Sequence, residues 1–154
     1  MTDDRSFQSL GLRDELLSRL QQMAFTQMTT VQAASLPSAL EGNDVVAQAS
    51  TGSGKTAVFA LACLQRLENT QFQVQSLVLC PTRELAEQVA ENFRELARHL
   101  ANTKVTTLCG GVAIGPQIGS LQHSAHVVVG TPGRVLKHLQ KGTLHLLGLN
   151  CLVL

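Results

Sequence analysis

The sequence predicts an α/β fold, a mostly parallel β-sheet with helices on both faces. Three observations predict it. Apolar runs of strand length alternate with segments of helical period. The strand runs are continuous rather than alternating, as in Ser76-Leu77-Val78-Leu79-Cys80 and His126-Val127-Val128-Val129-Gly130, the pattern of strands covered on both sides. The motifs that carry chemistry fall just after strands, where open α/β sheets place their ligand sites.

The chain's 154 residues suit one domain with one core, and 44% apolar content argues against disorder. Only 15% of residues are charged, which implies that part of the surface is covered by something else. A net charge of +1 gives no general case for nucleic acid, so any such contact must be local. With no Trp or Tyr and five Phe, a broad aromatic stacking platform is excluded.

The elements follow in order. Leu12, Leu16, Leu17, Leu20 and Met23 recur at the spacing of an amphipathic helix. After a break at 25–30, Thr29 or Thr30 caps a second short helix carrying Val31, Gln32, Ala33 and Leu36, which Pro37 restarts and extends to Leu40. Glu41-Gly42-Asn43-Asp44 is a turn, and Val45-Val46-Ala47 is a short strand leading to a helix from Lys55 to about Leu67. Beyond the strand at 76–80, residues 84–100 place Leu85, Val89, Phe93, Leu96 and Leu100 on one stripe. A strand at 105–109 ends in Gly110-Gly111. A weak helix is expected at 116–122, a strand at 126–130, a helix from Pro132 to about Gln140 capped by Thr131, and a strand at 149–154.

The loop Ala49-Ser50-Thr51-Gly52-Ser53-Gly54-Lys55-Thr56 sits between a strand and a helix, the context of a phosphate loop. Its glycines let successive amides turn into one concavity, and the helix adds its unpaired N-terminal amides and dipole. Lys55 would reach the β- and γ-phosphates and Thr56 would hold Mg²⁺, so these two are the candidate catalytic residues. The usual first glycine is replaced by Ala49. The loop implies binding of a nucleoside triphosphate.

Cys63, Cys80, Cys109 and Cys151 lie in apolar runs without paired spacing, which reads as buried thiols in a reducing compartment. The N-terminus lacks the apolar core of a signal peptide, and a soluble, cytoplasmic protein is expected.

Further short motifs follow successive strands: Pro81-Thr82-Arg83-Glu84-Leu85-Ala86, then Gly110-Gly111, then Thr131-Pro132-Gly133-Arg134, with Phe25, Thr29 and Gln32 upstream. Each alone could be a helix start. In this order around a phosphate loop, from about Phe7 to Leu154, they resemble the amino-terminal RecA-like domain of a DEAD-box ATP-dependent RNA helicase. The resemblance implies a RecA-like P-loop fold, incomplete at the C-terminus. Residues 1–154 would be the N-terminal, ATP-binding part of the first RecA-like domain, with the remainder of that domain and the second domain absent.

The resemblance also implies roles. Gln32, with Thr29, matches the family's adenine reader, whose carboxamide can accept from N6 and donate to N7; guanine offers two acceptors there, so ATP is preferred over GTP. Phe7 stands 17 positions before Ala24, where the family places a base-stacking aromatic. Ala24 and Thr30 depart from the family's Gly and Pro. Pro81, Thr82, Arg83, Gly110, Gly111, Thr131, Pro132, Gly133 and Arg134 match its RNA contacts, which supply hydroxyls, amides and guanidinium groups for sugar and phosphate and imply sequence-independent binding.

The stretch from Leu77 to Gly111 resembles the bacterial DbpA-type subfamily, which acts on large-subunit ribosomal RNA through a separate C-terminal domain and so implies a role in ribosome assembly. The family's Asp-Glu-Ala-Asp motif would come next after Leu154. Without it, the chain is expected to hydrolyse ATP at or near background, leaving a non-catalytic nucleotide- or RNA-binding fragment as the alternative. Its open sheet edges are expected to promote self-association.

Overall fold

The computed structural model describes residues 4–154. They form two compact units, one made of the described residues up to Arg66 with Leu96–Leu100, the other of Leu67–Glu95 with Ala101–Leu154.

The first unit is helical. A single 3-10 turn, Phe7–Leu10, starts at Ser6, whose hydroxyl accepts from the Gln8 amide. Helix α1 (Asp14–Gln22) has Asp14 and Glu15 in its first turn and Arg19 in its last, each suited to the helix dipole, and it buries Leu16 and Leu20. Helix α2 (Thr30–Leu40) packs against α3 (Lys55–Gln65), which is buried nearly all round from Ala57 to Leu64. Two expectations change here. Pro37 does not restart α2: the helix runs through it, because only one hydrogen bond is lost and the carbonyls of Pro37 and Ser38 still accept from Glu41 and Asn43. Residues 45–47 form no strand, and Val46 is fully exposed. A β-strand exists only through a ladder partner, and none of the described residues pairs with this run.

The second unit alternates β1 (Ser76–Leu79), α4 (Arg83–Leu96), β2 (Val105–Leu108), α5 (Gly115–Gln122), β3 (Val127–Gly130), α6 (Pro132–Lys141) and β4 (Cys151–Val153). The four strands form an all-parallel sheet in the order β2-β3-β1-β4. Leu77 lies opposite Val128, which lies opposite Thr106. From β1 to β2 the chain steps one way along the sheet; from β2 to β3 and from β3 to β4 it steps the other. Right-handed crossovers therefore put α4 on one face and α5 and α6 on the opposite face. Packing agrees: Leu121 of α5 and Val135 of α6 join Leu77, Leu108 and Val128 in one cluster. Val127, Val128 and Val129 are all fully buried, as a strand covered on both faces requires. The α4 helix buries Ala86, Val89, Ala90 and Phe93 and stops at Leu96, short of the expected Leu100.

Gly130 is required by space. A Cβ there would lie 2.5 Å from the Leu108 carbonyl oxygen and 2.7 Å from a Val135 methyl, so β3 can pass into α6 only without a side chain. Cys80 and Cys109 are buried thiols, Cys63 is also buried, and Cys151 is half-buried. No helix among the described residues is long and apolar enough to cross a membrane.

Candidate functional site

The phosphate-loop residues lie in the first unit. Gly52 and Gly54 take left-handed backbone angles (φ 81° and 91°), and Gly54 is the N-cap of α3, so Lys55 and Thr56 open the helix. Ser53, Lys55 and Thr56 are half-buried; Ser50, Thr51 and Gly52 are exposed. The Ser53 hydroxyl is buried without a hydrogen-bond partner, an unused polar group at the mouth of the loop. The Lys55 ammonium donates to the carbonyls of Ala49 and, at 3.0 Å, of Ser50. The loop is therefore closed on its own lysine, and those carbonyls stand in for the phosphate oxygens the lysine would otherwise meet.

Thr29 and Gln32 are built into the same loop. Thr29 caps α2, accepting from the Gln32 amide at 3.4 Å, while its hydroxyl donates to Ser53 O at 2.8 Å. Gln32, 4% exposed, completes the capping box by accepting from Thr29 N at 2.9 Å, and its Nε2 donates to Gly54 O at 3.2 Å. A Cβ on Gly54 would collide with the Gln32 amide. Both ends of the carboxamide thus serve the backbone. The sequence places Gln32 beside the loop, but here the side chain links α2 to the loop instead of presenting a free donor–acceptor pair.

Phe7 is not a free stacking ring. It is 3% exposed and stacks on Phe25, with centroids 6.4 Å apart and planes inclined by 22°. Phe25 is 39% exposed, so of the two rings it is the one with an open face. Its place after Ala24 was visible in the sequence; its exposure was not.

The remaining motif residues gather at the carboxyl ends of the strands of the second unit. Pro81, Thr82 and Arg83 are exposed at the start of α4, where Thr82 Oγ1 accepts from Leu85 N at 3.2 Å. Arg83 reaches across to donate to Gly110 O at 3.3 Å. That reach depends on Gly111 (φ 82°), where a Cβ would occupy the guanidinium's place. A cavity of about 300 Å³ opens beside them, lined among others by Arg83, Glu84, Glu87, Cys109 and Gln117. Glu84 and Glu87 make this cavity unfavourable to phosphate, which confines any phosphate contact to the rim formed by Arg83 and the glycine turn. Burial raises the Cys109 thiol pKa, and the Glu87 charge adds to it. Pro132 and Gly133 are exposed at the first turn of α6. Thr131 occupies its N-cap position, but its side chain makes no capping bond, contrary to expectation. Arg134 donates to Val112 O and to Gln117 Oε1, both at 3.0 Å.

Residues 29–154 match the family described as DEAD/DEAH box helicase. The chain belongs to the DEAD/DEAH box helicase family. It is 58% identical over 138 residues to the ATP-dependent RNA helicase DbpA of Escherichia coli, covering 90% of this chain and 30% of that protein. A DEAD box protein from the hyperthermophile Methanococcus jannaschii superposes with a TM-score of 0.88 at 40% identity, over 94% of this chain and 39% of that one. A variant of Dbp5 from S. cerevisiae, in a structure with RNA and ADP BeF3, superposes with a TM-score of 0.82 at 31% identity over 94% and 36%. The chain thus spans about a third of the length of these DEAD-box relatives. The family match begins at Thr29, so Thr29, Gln32, the phosphate loop and the three downstream motifs fall inside it and Phe7 falls outside. Sequence reasoning missed Gln117, which reaches Arg134 from α5, and His138, which meets the same Gln117 oxygen from one turn further along α6. A lone Gln and a lone His carry no spacing signal.

Proposed function

We propose that this chain is the N-terminal, ATP-binding part of the first RecA-like domain of an ATP-dependent RNA helicase. The observation that carries the reading is the direct link between α2 and the phosphate loop, Thr29 to Ser53 O and Gln32 to Gly54 O. An adenine-sensing segment hydrogen-bonded to a phosphate-sensing loop is what nucleotide selectivity requires. The loop's donors fit a phosphate: first-turn amides of α3, the Lys55 ammonium and the buried Ser53 hydroxyl. Mg²⁺ would be held by Thr56 together with phosphate oxygens. When ATP binds, Lys55 exchanges the Ala49 and Ser50 carbonyls for phosphate, Gln32 turns an end of its amide to adenine, and Phe25 offers its open face to the base.

The second unit grips RNA through Thr82, Arg83, Gly110, Gly111, Thr131, Gly133 and Arg134, all suited to sugar and phosphate and none arranged to read a base. Discrimination against DNA then rests on the 2′-hydroxyl and backbone shape. The parent protein acts in the cytoplasm on RNA, with large-subunit ribosomal RNA and ribosome assembly as the setting that the subfamily resemblance of Leu77–Gly111 implies. The chain by itself turns over ATP at or near background, because none of the residues assigned to the nucleotide site is a carboxylate that could orient the attacking water. It self-associates through unpaired strand edges.

The test is a thermal shift with Mg·ATP and Mg·ADP. We expect both to raise the melting temperature and Lys55→Ala to remove the effect. A shift that survives in Lys55→Ala places the nucleotide elsewhere.

A further inference from the structure

The Thr131–Arg134 motif rests on a hydrogen-bonded chain that no sequence motif announces. Arg134 Nη1 donates to Gln117 Oε1 at 3.0 Å, and the same oxygen lies 2.9 Å from His138 Nε2. Gln117 Nε2 donates to Cys109 O at 2.9 Å, at the entry to the Gly110-Gly111 turn. On its far side, His138 Nδ1 lies 2.8 Å from Thr143 Oγ1, which is also 3.2 Å from the His138 carbonyl. Gln117 is 9% exposed and His138 wholly buried.

The donor–acceptor logic fixes the Gln117 amide and one nitrogen of the His138 ring. An arginine can only donate, so the Gln117 oxygen must face it and the amide nitrogen must face the Cys109 carbonyl. His138 then has to donate through Nε2; with a neutral ring, Nδ1 accepts from the Thr143 hydroxyl, whose one hydrogen is shared with the His138 carbonyl. We propose that Gln117 and His138 are positioning residues for RNA binding: through one shared oxygen they hold the Arg134 guanidinium and, through the Cys109 carbonyl, the glycine turn in a fixed relation. The inference rests on the reading that Arg134 contacts RNA. Its consequence is that two RNA-facing motifs from different parts of the chain are set together by residues that never touch RNA.

The ring needs only an Nε2 hydrogen to hold Gln117, which the neutral tautomer and the charged ring both carry. The charged groups around it are Arg134, Lys137 and Lys141, all cationic and on α6 itself; the neighbours from α5 and from beyond α6, Gln117 and Thr143, are neutral. Burial first, and then these three cations, lower the His138 pKa, so the neutral form persists below the ordinary histidine range.

The test is a double-mutant cycle on the 154-residue chain, reading the affinity for a fluorescently labelled single-stranded oligouridylate RNA by anisotropy. Arg134→Ala is expected to weaken binding, and Gln117→Leu to weaken it about fivefold, the worth of one hydrogen bond held in place. In the Arg134→Ala background, Gln117→Leu should weaken binding less, by only the part it exerts through the glycine turn. An equal loss in both backgrounds, or no loss in either, overturns the positioning role while leaving the RNA reading intact. Absence of RNA binding by the unaltered chain, or indifference to Arg134→Ala, overturns the RNA reading and this inference with it. Should Gln117→Leu fail to fold, nitrogen-15 NMR of the unaltered chain decides: His138 must carry a hydrogen on Nε2, and a ring protonated at Nδ1 alone refutes the chain.

Discussion

Gln32 and Gly130 show how single positions carry the architecture. Gln32 closes a capping box and ties the phosphate loop to α2 with the same carboxamide. Gln32→Ala removes both, and should lower stability by about 1 kcal/mol, the usual worth of a helix cap, as read by urea denaturation. An unchanged midpoint would mean the link is incidental. Gly130→Ala forces a methyl against the Leu108 carbonyl and Val135, and overpacking of this kind costs about 1–3 kcal/mol. A tolerated alanine at 130 would show that β3 and α6 can separate more easily than their packing implies. Phe7 teaches the converse. Its distance from Ala24 pointed to base stacking, yet its burial beneath Phe25 makes it a core residue and leaves the open ring to its neighbour.

At the level of the element, α6 joins a motif that was legible to a network that was not. Thr-Pro at its start and the buried Val135 were readable from helix grammar and period. Its bonds to α5 were not, because Gln117 lies 17 residues from Arg134 and 21 from His138, and local pattern does not report contacts at that range. The same limit explains residues 45–47: apolar and β-branched residues gave a strand signal, while the partner that makes a strand is a tertiary fact. The strands at 76–79 and 127–130 were legible because burial on both faces leaves a continuous apolar run, and the edge strand at 105–108, Val-Thr-Thr-Leu with alternating burial, because of its β-branched residues. Helix α6 also gives a pH dependence. His138 and, on β3's approach, His126 are held below the ordinary value of 6.5, chiefly by burial; for His126 the Asn69 backbone only partly offsets this. Their folded-state pKa values being lowered, the stability from keeping them neutral is complete above about pH 6.5 and is lost as pH falls towards the folded-state values. The melting temperature should therefore be flat from pH 8 to 7 and decline below 6.5, and His138→Gln should decline less steeply. A decline of equal slope would place the titration elsewhere.

For the molecule as a whole, the two units divide the work. On the proposed reading the first carries the nucleotide loop and the second the RNA-facing motifs, each positioned by its own internal bonds. The outer edge of β4 is unpaired among the described strands, and Leu152 and Leu154 beside it are exposed, a setting that favours edge-to-edge pairing. Light scattering across a concentration series should show species larger than a monomer, with the proportion rising with concentration; a monomer throughout would rule out pairing at that edge. On the proposed reading the phosphate loop and α2 together form an adenine-selective nucleotide site. Calorimetric titration of the chain with Mg·ATP and Mg·GTP tests it most directly. We expect saturable 1:1 binding of ATP with GTP at least about tenfold weaker, the discrimination one good bidentate contact supplies. Equal affinity for the two nucleotides, or no binding of either, would contradict it.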